Sequence, residues 1–507
     1  MQKTFALLTC LLLVIFLQAQ NLKAKIKIDI ERKGGMIDSL IYGNFTEHLG
    51  RCIYGGIYEP SSPQANEDGF RKDVIDAVNN LGVSVIRYPG GNFVSGYHFE
   101  DGIGPKANRP KRKDLAWGAT ETNEVGTDEF MKFISKTKAE PYFCVNLGTG
   151  TIEEARNWVE YCNAPQGLYY SDLRAKNGHP QPYHIKFWGL GNELDGPWQM
   201  GHKNAEDYSK FALEAAKLMK WSDPDIKLIA SGSSNYGADW IEWNRTVLTE
   251  LRNHIDYISV HRYVGNPDSN HLRFMNASQF TENIIKITEG LIKEVKTRYR
   301  ISRPIYIAFD EYNVWYRAFG SKQLEEHYNL QDALVVAEFL NSFVRNAHIV
   351  KMANMAQLVN VIAPMMITDG KLWTQTIYYP LQLFAKNCYG QSLDVLVDGD
   401  SYDLGDTKGI PYLDVSASYN QPTGELIVNV VNRSPDKTVE TSIQNQYGNW
   451  GDKAQVSEVN SGSIYDENNA KDQKVKVVSK QVSVRGNELT YSFPAHSFTQ
   501  IIIPVKK

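Results

Sequence analysis

Two glutamates stand where short apolar runs end. Glu193 closes Phe187-Trp188-Gly189-Leu190-Gly191-Asn192-Glu193, and Glu311 closes Ile305-Tyr306-Ile307-Ala308-Phe309-Asp310-Glu311. Two carboxyl groups facing each other across a cleft can cut a glycosidic bond, one as acid and the other as nucleophile or base. A gap of about 5 to 5.5 Å means retention through a covalent glycosyl-enzyme, and roughly 6.5 to 9.5 Å admits water and inverts. Polar residues end other apolar runs too: Glu47 with His48, Arg87 followed by Asn92, Asn146, Asn192, His261 with Tyr263, and Gln357. A single strand-end glutamate ordinarily accepts backbone N–H bonds or pairs with an arginine. Two such strands, one with Asn and one with Asp before the Glu, favour chemistry.

These residues need a scaffold that brings strand ends together. Short apolar runs alternate with amphipathic helices from about residue 40 to 390, the pattern of a parallel α/β fold. The expected strands are Ile41–Phe45, Val83–Tyr88, Tyr142–Leu147, Ile185–Gly191, Lys227–Ser231, Tyr257–His261, Pro304–Phe309 and Met355–Val361. Thr151-Ile152-Glu153-Glu154 reads as a capping box opening a helix whose buried face is Ala155, Trp158, Val159 and Cys162. This pattern predicts a (β/α)8 TIM barrel over 41–390, whose active site lies at the C-terminal ends of its strands. Beyond it, β-rich segments such as Glu425–Val431 and Gln500–Ile503 alternate with turn residues, predicting a C-terminal β-sandwich over 391–507. The alternating run Lys25–Ile30, within an N-terminal segment 20–40, is expected to join that sandwich.

Composition narrows the partners. Lys and Arg number 54 against 58 Asp and Glu, a net charge of -4, and no basic block exists to contact phosphates, so nucleic acid is not the partner. Trp and Tyr, at 10 and 28, supply rings that can stack on sugar C–H faces. The cysteines after Cys10 are Cys52, Cys144, Cys162 and Cys388, too scattered for a disulfide framework or a zinc signature. Lys3 followed by the apolar run Phe5–Leu17 reads as a signal peptide over 1–19, which predicts an exported chain, periplasmic or secreted, with no membrane insertion after signal removal.

Several stretches also carry a family resemblance. Gly43-Asn44-Phe45-Thr46-Glu47-His48-Leu49-Gly50-Arg51, Arg87-Tyr88-Pro89-Gly90-Gly91-Asn92-Phe93, the run Gly191–His202, Asp310-Glu311-Tyr312-Asn313-Val314-Trp315 and Ala356–Val361 resemble those of the α-L-arabinofuranosidases of glycoside hydrolase family 51. The resemblance implies a retaining, exo-acting enzyme with a (β/α)8 barrel and a jelly-roll-like C-terminal domain, releasing arabinofuranosyl residues from polymers such as arabinan or arabinoxylan. It implies Glu193 as acid/base and Glu311 as nucleophile, and Glu47, Asn92, Asn192 and Gln357 as contacts for sugar hydroxyls. Arg87, His261 and Tyr263 match positions around the carboxylates, and Trp198 and Trp315 match aromatic positions near the pocket. A homo-hexamer is also implied.

On that reading, Arg87 and the Tyr263 hydroxyl keep the pKa of Glu311 low while Glu193 holds its proton. Two carboxylates suffice for hydrolysis, so no metal or organic cofactor is expected. The alternatives are an endo-acting glucanase or xylanase on the same barrel, or a non-catalytic glycan-binding protein.

Overall fold

The computed structural model describes residues 21–318 and 324–506. Eight strands close into a parallel barrel: Gly43–Phe45, Val85–Tyr88, Glu140–Val145, Phe187–Leu190, Lys227–Ala230, Tyr257–Val264, Tyr306–Val314 and Val350–Ala356. β-Branched and aromatic residues crowd these short runs, which are largely buried, as strands covered outside by helices must be. The (β/α)8 expectation therefore holds. Its eighth strand was expected too late in the chain, because Leu358, Val359 and Val361 are buried in the following loop, outside the barrel's strand pairing. A short apolar run reads the same in either setting. The helix Ile152–Asn163 starts as expected, with Thr151 accepting from the Glu154 N–H at 3.0 Å. The Glu154 carboxylate also meets His98 at 3.1 Å.

Side chains inside a barrel alternate with a period of two. Val85, Tyr142, Phe187, Ile229, Tyr257, Ala308 and Met352, one from each of the second to eighth strands, form an apolar layer. Two residues further along, the inward positions become small or polar: Arg87, Cys144, Gly189, Ser259, Asp310 and Asn354, all buried. Gly189 is required there, since a Cβ would stand 2.9 Å from the Tyr142 hydroxyl and 3.1 Å from Cys144 Sγ.

The seventh strand interrupts the alternation. Ala308 is matched with Ser259, but the next matched pair is Glu311 with His261, so the seventh strand carries one extra residue. Such a bulge resets which residues share a face. Asp310, which accepts from Tyr142, and Glu311, which accepts from Arg87, both reach the lumen although they are neighbours in sequence.

The C-terminal region forms a sheet separate from the barrel. The strand Leu22–Met36 lies within it, antiparallel to Gln391–Gly399 and parallel to Val439–Asn445. Residues from across the sheet, among them Ile26, Leu393, Val428, Ile443, Val456, Phe493 and Ile501, share one core. A flat row of nine strands would span about 40 Å at the usual spacing, so a shared core means the sheet folds over on itself. The helix Leu330–Arg345, buried along nearly its whole length, joins barrel to sheet. Among the described residues no helix is long and apolar enough to cross a membrane, and Cys52, Cys144, Cys162 and Cys388 are buried and free.

Candidate active site

The fourth strand stops at Leu190, and the chain then turns through Gly191 with φ of 81° and Glu193 with φ of 47°. Left-handed backbone is unusual for glutamate and must be held by its surroundings. The Gly196 N–H donates to the Glu193 carbonyl at 2.8 Å. Asp195 accepts from the backbone N–H groups of Ser234 and Asn235 and from the Ser234 hydroxyl, stapling this loop to the one after the fifth strand. The Glu193 carboxylate then lies with Oε1 2.8 Å from His261 Nδ1, while Oε2 accepts from Trp198 Nε1 at 2.8 Å.

Glu311 is held at both oxygens. Arg87 Nη1 donates to Oε1 at 2.5 Å and the Tyr263 hydroxyl to Oε2 at 2.9 Å. Arg87 Nη2 also donates to Asn192 Oδ1 at 2.7 Å, and its guanidinium lies over the Phe45 ring. One oxygen of Glu193, one of Glu311 and a ring nitrogen of His261 lie within 4.8 Å of one another. The facing oxygens are therefore nearer than the roughly 6.5 Å at which inverting geometries begin. These three donors could also hold a metal ion, although hydrolysis by two carboxylates calls for none.

Glu47 closes the other side. Its Oε1 accepts from the Phe93 N–H at 2.9 Å and Trp117 Nε1 at 3.0 Å, and its Oε2 from Gln357 Nε2 at 3.0 Å. Gly91 lies between Glu47 and Glu311, where a Cβ would come within 3.0 Å of one and 3.4 Å of the other. Asn92 Oδ1 is 3.5 Å from Asn192 Nδ2. Trp315 meets the Tyr263 ring edge to face at 5.5 Å, and Trp198 is half-exposed at the rim. The structure thus gathers Glu47, Arg87, Asn92, Asn192, Glu193, Trp198, His261, Tyr263, Glu311, Trp315 and Gln357 around one mouth.

Two strand-end residues serve other purposes. Asn146 ties its own loop through Tyr97 and Thr149, and His48 is buried between Glu121 and Tyr88. One participant was legible in sequence only as the neighbour of Glu311, and one escaped the reading. Asp310 receives the Tyr142 hydroxyl at 2.7 Å and lies 3.2 Å from His261 Nε2. Trp117 reaches Glu47 from a hairpin, Arg112–Lys113 paired with Thr120–Glu121, where no apolar run signals a strand end. An indole among charged residues was its one mark.

Burial raises the pKa of every acid here, and neighbours decide the outcome. For Asp310, Arg87, His261 and Ser259 overcome burial and hold it well below the usual carboxylate range. For Glu193, the His261 hydrogen bond and charge together with the Trp198 N–H overcome burial and lower it. For Glu311, burial and the repulsion of Glu193 outweigh His261 and Arg87, and it is raised. Burial disfavours charge on His261, yet Glu311, Asp310 and Glu193 push it well above its ordinary value. Burial, with Glu311 nearby, lifts Glu47 to about 7 against its three donors. The expected order of Glu311 and Glu193 is thus reversed in the resting site. Its reason is His261, 2.8 Å from Glu193 and 3.6 Å from Glu311.

Comparison with known proteins follows the same lines. The model of the α-L-arabinofuranosidase 1 domain matches residues 77–283, and that of the α-L-arabinofuranosidase C-terminal domain matches 310–497. The intracellular exo-α-(1→5)-L-arabinofuranosidase 1 of Bacillus subtilis is 47% identical over 434 residues, covering 83% of this chain and 87% of that protein. The intracellular exo-α-(1→5)-L-arabinofuranosidase of Halalkalibacterium halodurans is 45% identical over 82% of this chain and 85% of its own length. The crystal structure of the Thermotoga maritima α-L-arabinofuranosidase with arabinose superposes with a TM-score of 0.89 at 37% identity, covering 96% of this chain and 100% of that one.

These names correct one expectation. The run after Lys3 predicted export to the periplasm or beyond, whereas the B. subtilis and H. halodurans relatives are named intracellular, and export is withdrawn. Residues 1–19, which carried that reading, lie outside the described residues, and a charge before an apolar run is a signal with no folded contact behind it. Two domain models in order, relatives near half identity and a shared barrel-and-sheet architecture agree: the chain belongs to the α-L-arabinofuranosidases of glycoside hydrolase family 51.

Proposed function

We propose that this chain is a retaining, exo-acting α-L-arabinofuranosidase that removes terminal non-reducing α-L-arabinofuranosyl residues by double displacement. The observation that carries the reading is the facing pair at the ends of the fourth and seventh strands, Glu193 and Glu311, with oxygens within 4.8 Å. Glu311 attacks the anomeric carbon as Glu193 passes a proton to the leaving oxygen. In the resting site that proton lies with His261, one hydrogen bond from Glu193. Arg87 and Tyr263 aim Glu311 and balance its charge. Once Glu311 is an ester its charge is gone, and His261 and Glu193 both bind a proton less tightly. Glu193 is then free to take a proton from the water that releases the sugar.

Glu47, Asn92, Asn192 and Gln357 are assigned to the furanose hydroxyls, with Asn192 on the 2-OH, a contact that strengthens as the ring becomes oxocarbenium-like. Trp198 and Trp315 flank the leaving-group side. The relatives named exo-α-(1→5)-L-arabinofuranosidases support α-1,5-linked arabino-oligosaccharides as the substrate, ahead of arabinoxylan.

The test is hydrolysis of 4-nitrophenyl α-L-arabinofuranoside by wild type, Glu193→Ala and Glu311→Ala, with and without azide. Glu193→Ala should give the α-azide through two inversions, and Glu311→Ala the β-azide through one. Internal cleavage of xylan or glucan by a wild type inert on the arabinoside would overturn the reading.

A further inference from the structure

His48 is next to a residue assigned to the sugar and yet faces away from it. Its Nδ1 lies 2.8 Å from Glu121 Oε2 and its Nε2 3.1 Å from the Tyr88 hydroxyl. Glu121 is the last residue of the hairpin that carries Trp117. Its other oxygen accepts from the Tyr54 hydroxyl at 2.5 Å and the Asn123 N–H at 2.6 Å. The other strand of the hairpin is held by an exposed ion pair, Arg112 with Asp101 at 2.8 and 3.1 Å. Between Arg112 and Thr120 its residues are exposed or half-buried except Asp114, and a two-stranded hairpin alone is marginal in water. Beneath it lies a small cavity lined by Phe93, Tyr97, Asp114, Leu115, Glu121 and Asn123. The hairpin is therefore pinned at its tip, where Trp117 Nε1 meets Glu47 at 3.0 Å, and at its base, where Glu121 meets His48. Both pins land on consecutive residues of one loop.

We infer that the buried His48–Glu121 pair is a latch that sets the hairpin over the mouth, making both residues positioning residues for Trp117 and Glu47 in sugar binding. The inference rests on the arabinofuranosidase reading for its substrate. A single peptide link between Glu47 and His48 ties the carboxylate that meets the sugar to the foot of the element that roofs it. Releasing the foot lets the indole leave Glu47. The facing pair Glu193 and Glu311 stands on other strands and is untouched, so binding should suffer while turnover of bound substrate survives.

The experiment compares wild type, Glu121→Ala, Glu121→Gln, Trp117→Phe and the Glu121→Ala/Trp117→Phe double variant. Steady-state kinetics on 4-nitrophenyl α-L-arabinofuranoside are read beside hydrogen exchange over residues 112–121. Glu121→Ala should raise KM about 10-fold and leave kcat within about 2-fold, the size of a lost hydrogen bond to a charged group. Glu121→Gln keeps the shape and hydrogen bonds and should stay within about 3-fold of wild type, while the double variant should add little to either single change. Exchange over 112–121 should quicken in Glu121→Ala and stay near wild type in Glu121→Gln. Unchanged KM with unchanged exchange overturns the latch, as do additive KM effects. Should wild type fail on the arabinoside, the functional reading falls and exchange alone still decides whether Glu121 holds the hairpin.

Discussion

Two buried clusters of charge lie in this molecule, one at the barrel mouth and one where the barrel meets the C-terminal sheet. Their side chains are of the same kinds. At the seam, Arg433 donates to Glu338 at 2.5 Å and lies 3.4 Å from Asp414, while Arg345 bridges Asp414 and Glu282, each at 2.9 Å. Burial lifts Glu338 to about 8, much as it lifts Glu47 to about 7. The difference is what lies in front of the oxygens. At the seam the helix Leu330–Arg345 and the strand Leu413–Asn420 cover both sides. At the mouth Glu193 and Glu311 face each other within 4.8 Å, and the indole that meets Glu193, Trp198, is half-exposed. Perturbed acids therefore mark buried charge in general, and only an opening turns one into a reagent.

The sharpest way to break this contrast is to remove a reagent. Glu311→Ala should lower kcat by about 10⁴-fold or more while leaving the thermal midpoint nearly in place, since the mouth is built for reaction and not for stability. An equal loss from Glu338→Ala would erase the distinction. That seam variant strands Arg433 without its partner and should lose about 3 to 5 kcal/mol of stability in urea titration, with kcat/KM unchanged wherever it remains folded. The paired replacement Glu338→Leu with Arg433→Met should regain most of that loss.

The next test uses pH. Glu47 is raised from 4.5 to about 7, so the folded chain binds its proton more tightly than the unfolded chain. Its stabilising contribution is full below about 4.5 and is lost as pH rises through about 7. Glu47→Gln cannot titrate, so wild type should lose about 3 kcal/mol relative to that variant over this window, read from urea midpoints. A parallel pair of curves would place Glu47 in an environment unlike the one described. The smallest effect belongs to Trp198→Phe. Without the indole N–H, which lowers Glu193, Glu193 should hold the shared proton more tightly and the alkaline limb of kcat/KM should move up. A shift downward would contradict the assignment.

The parts legible in the sequence were those that repeat a local rule. Phe187–Leu190 and Tyr306–Phe309 are apolar runs of strand length, and a barrel puts whatever follows them at its mouth, so Glu193 and Glu311 could be found by position alone. The parts not legible depend on distance in space. Trp117 sits in a polar hairpin more than twenty positions from any strand-end residue, and its use follows from the His48–Glu121 contact across 73 positions. Asp310 was read as a neighbour of Glu311, not as the group 3.2 Å from the far side of His261. Proton placement has the same root: Arg87, Tyr263 and His261 could be set around the two carboxylates by motif, but that His261 stands 2.8 Å from Glu193 and 3.6 Å from Glu311 is a matter of distance.

The extra residue in the seventh strand has a consequence for how this site can change. A strand sorts its residues by parity, odd to one side and even to the other, and adjacent acids should be parted by that rule. Here one added residue between Ala308 and Glu311 flips the parity midway, so both acids are admitted to the same chamber. Deleting Phe309 would keep Glu311 inside and turn Asp310 toward the helices, with composition almost unaltered. Substitutions can retune the strength of either acid, but the right of both to be present is a matter of counting.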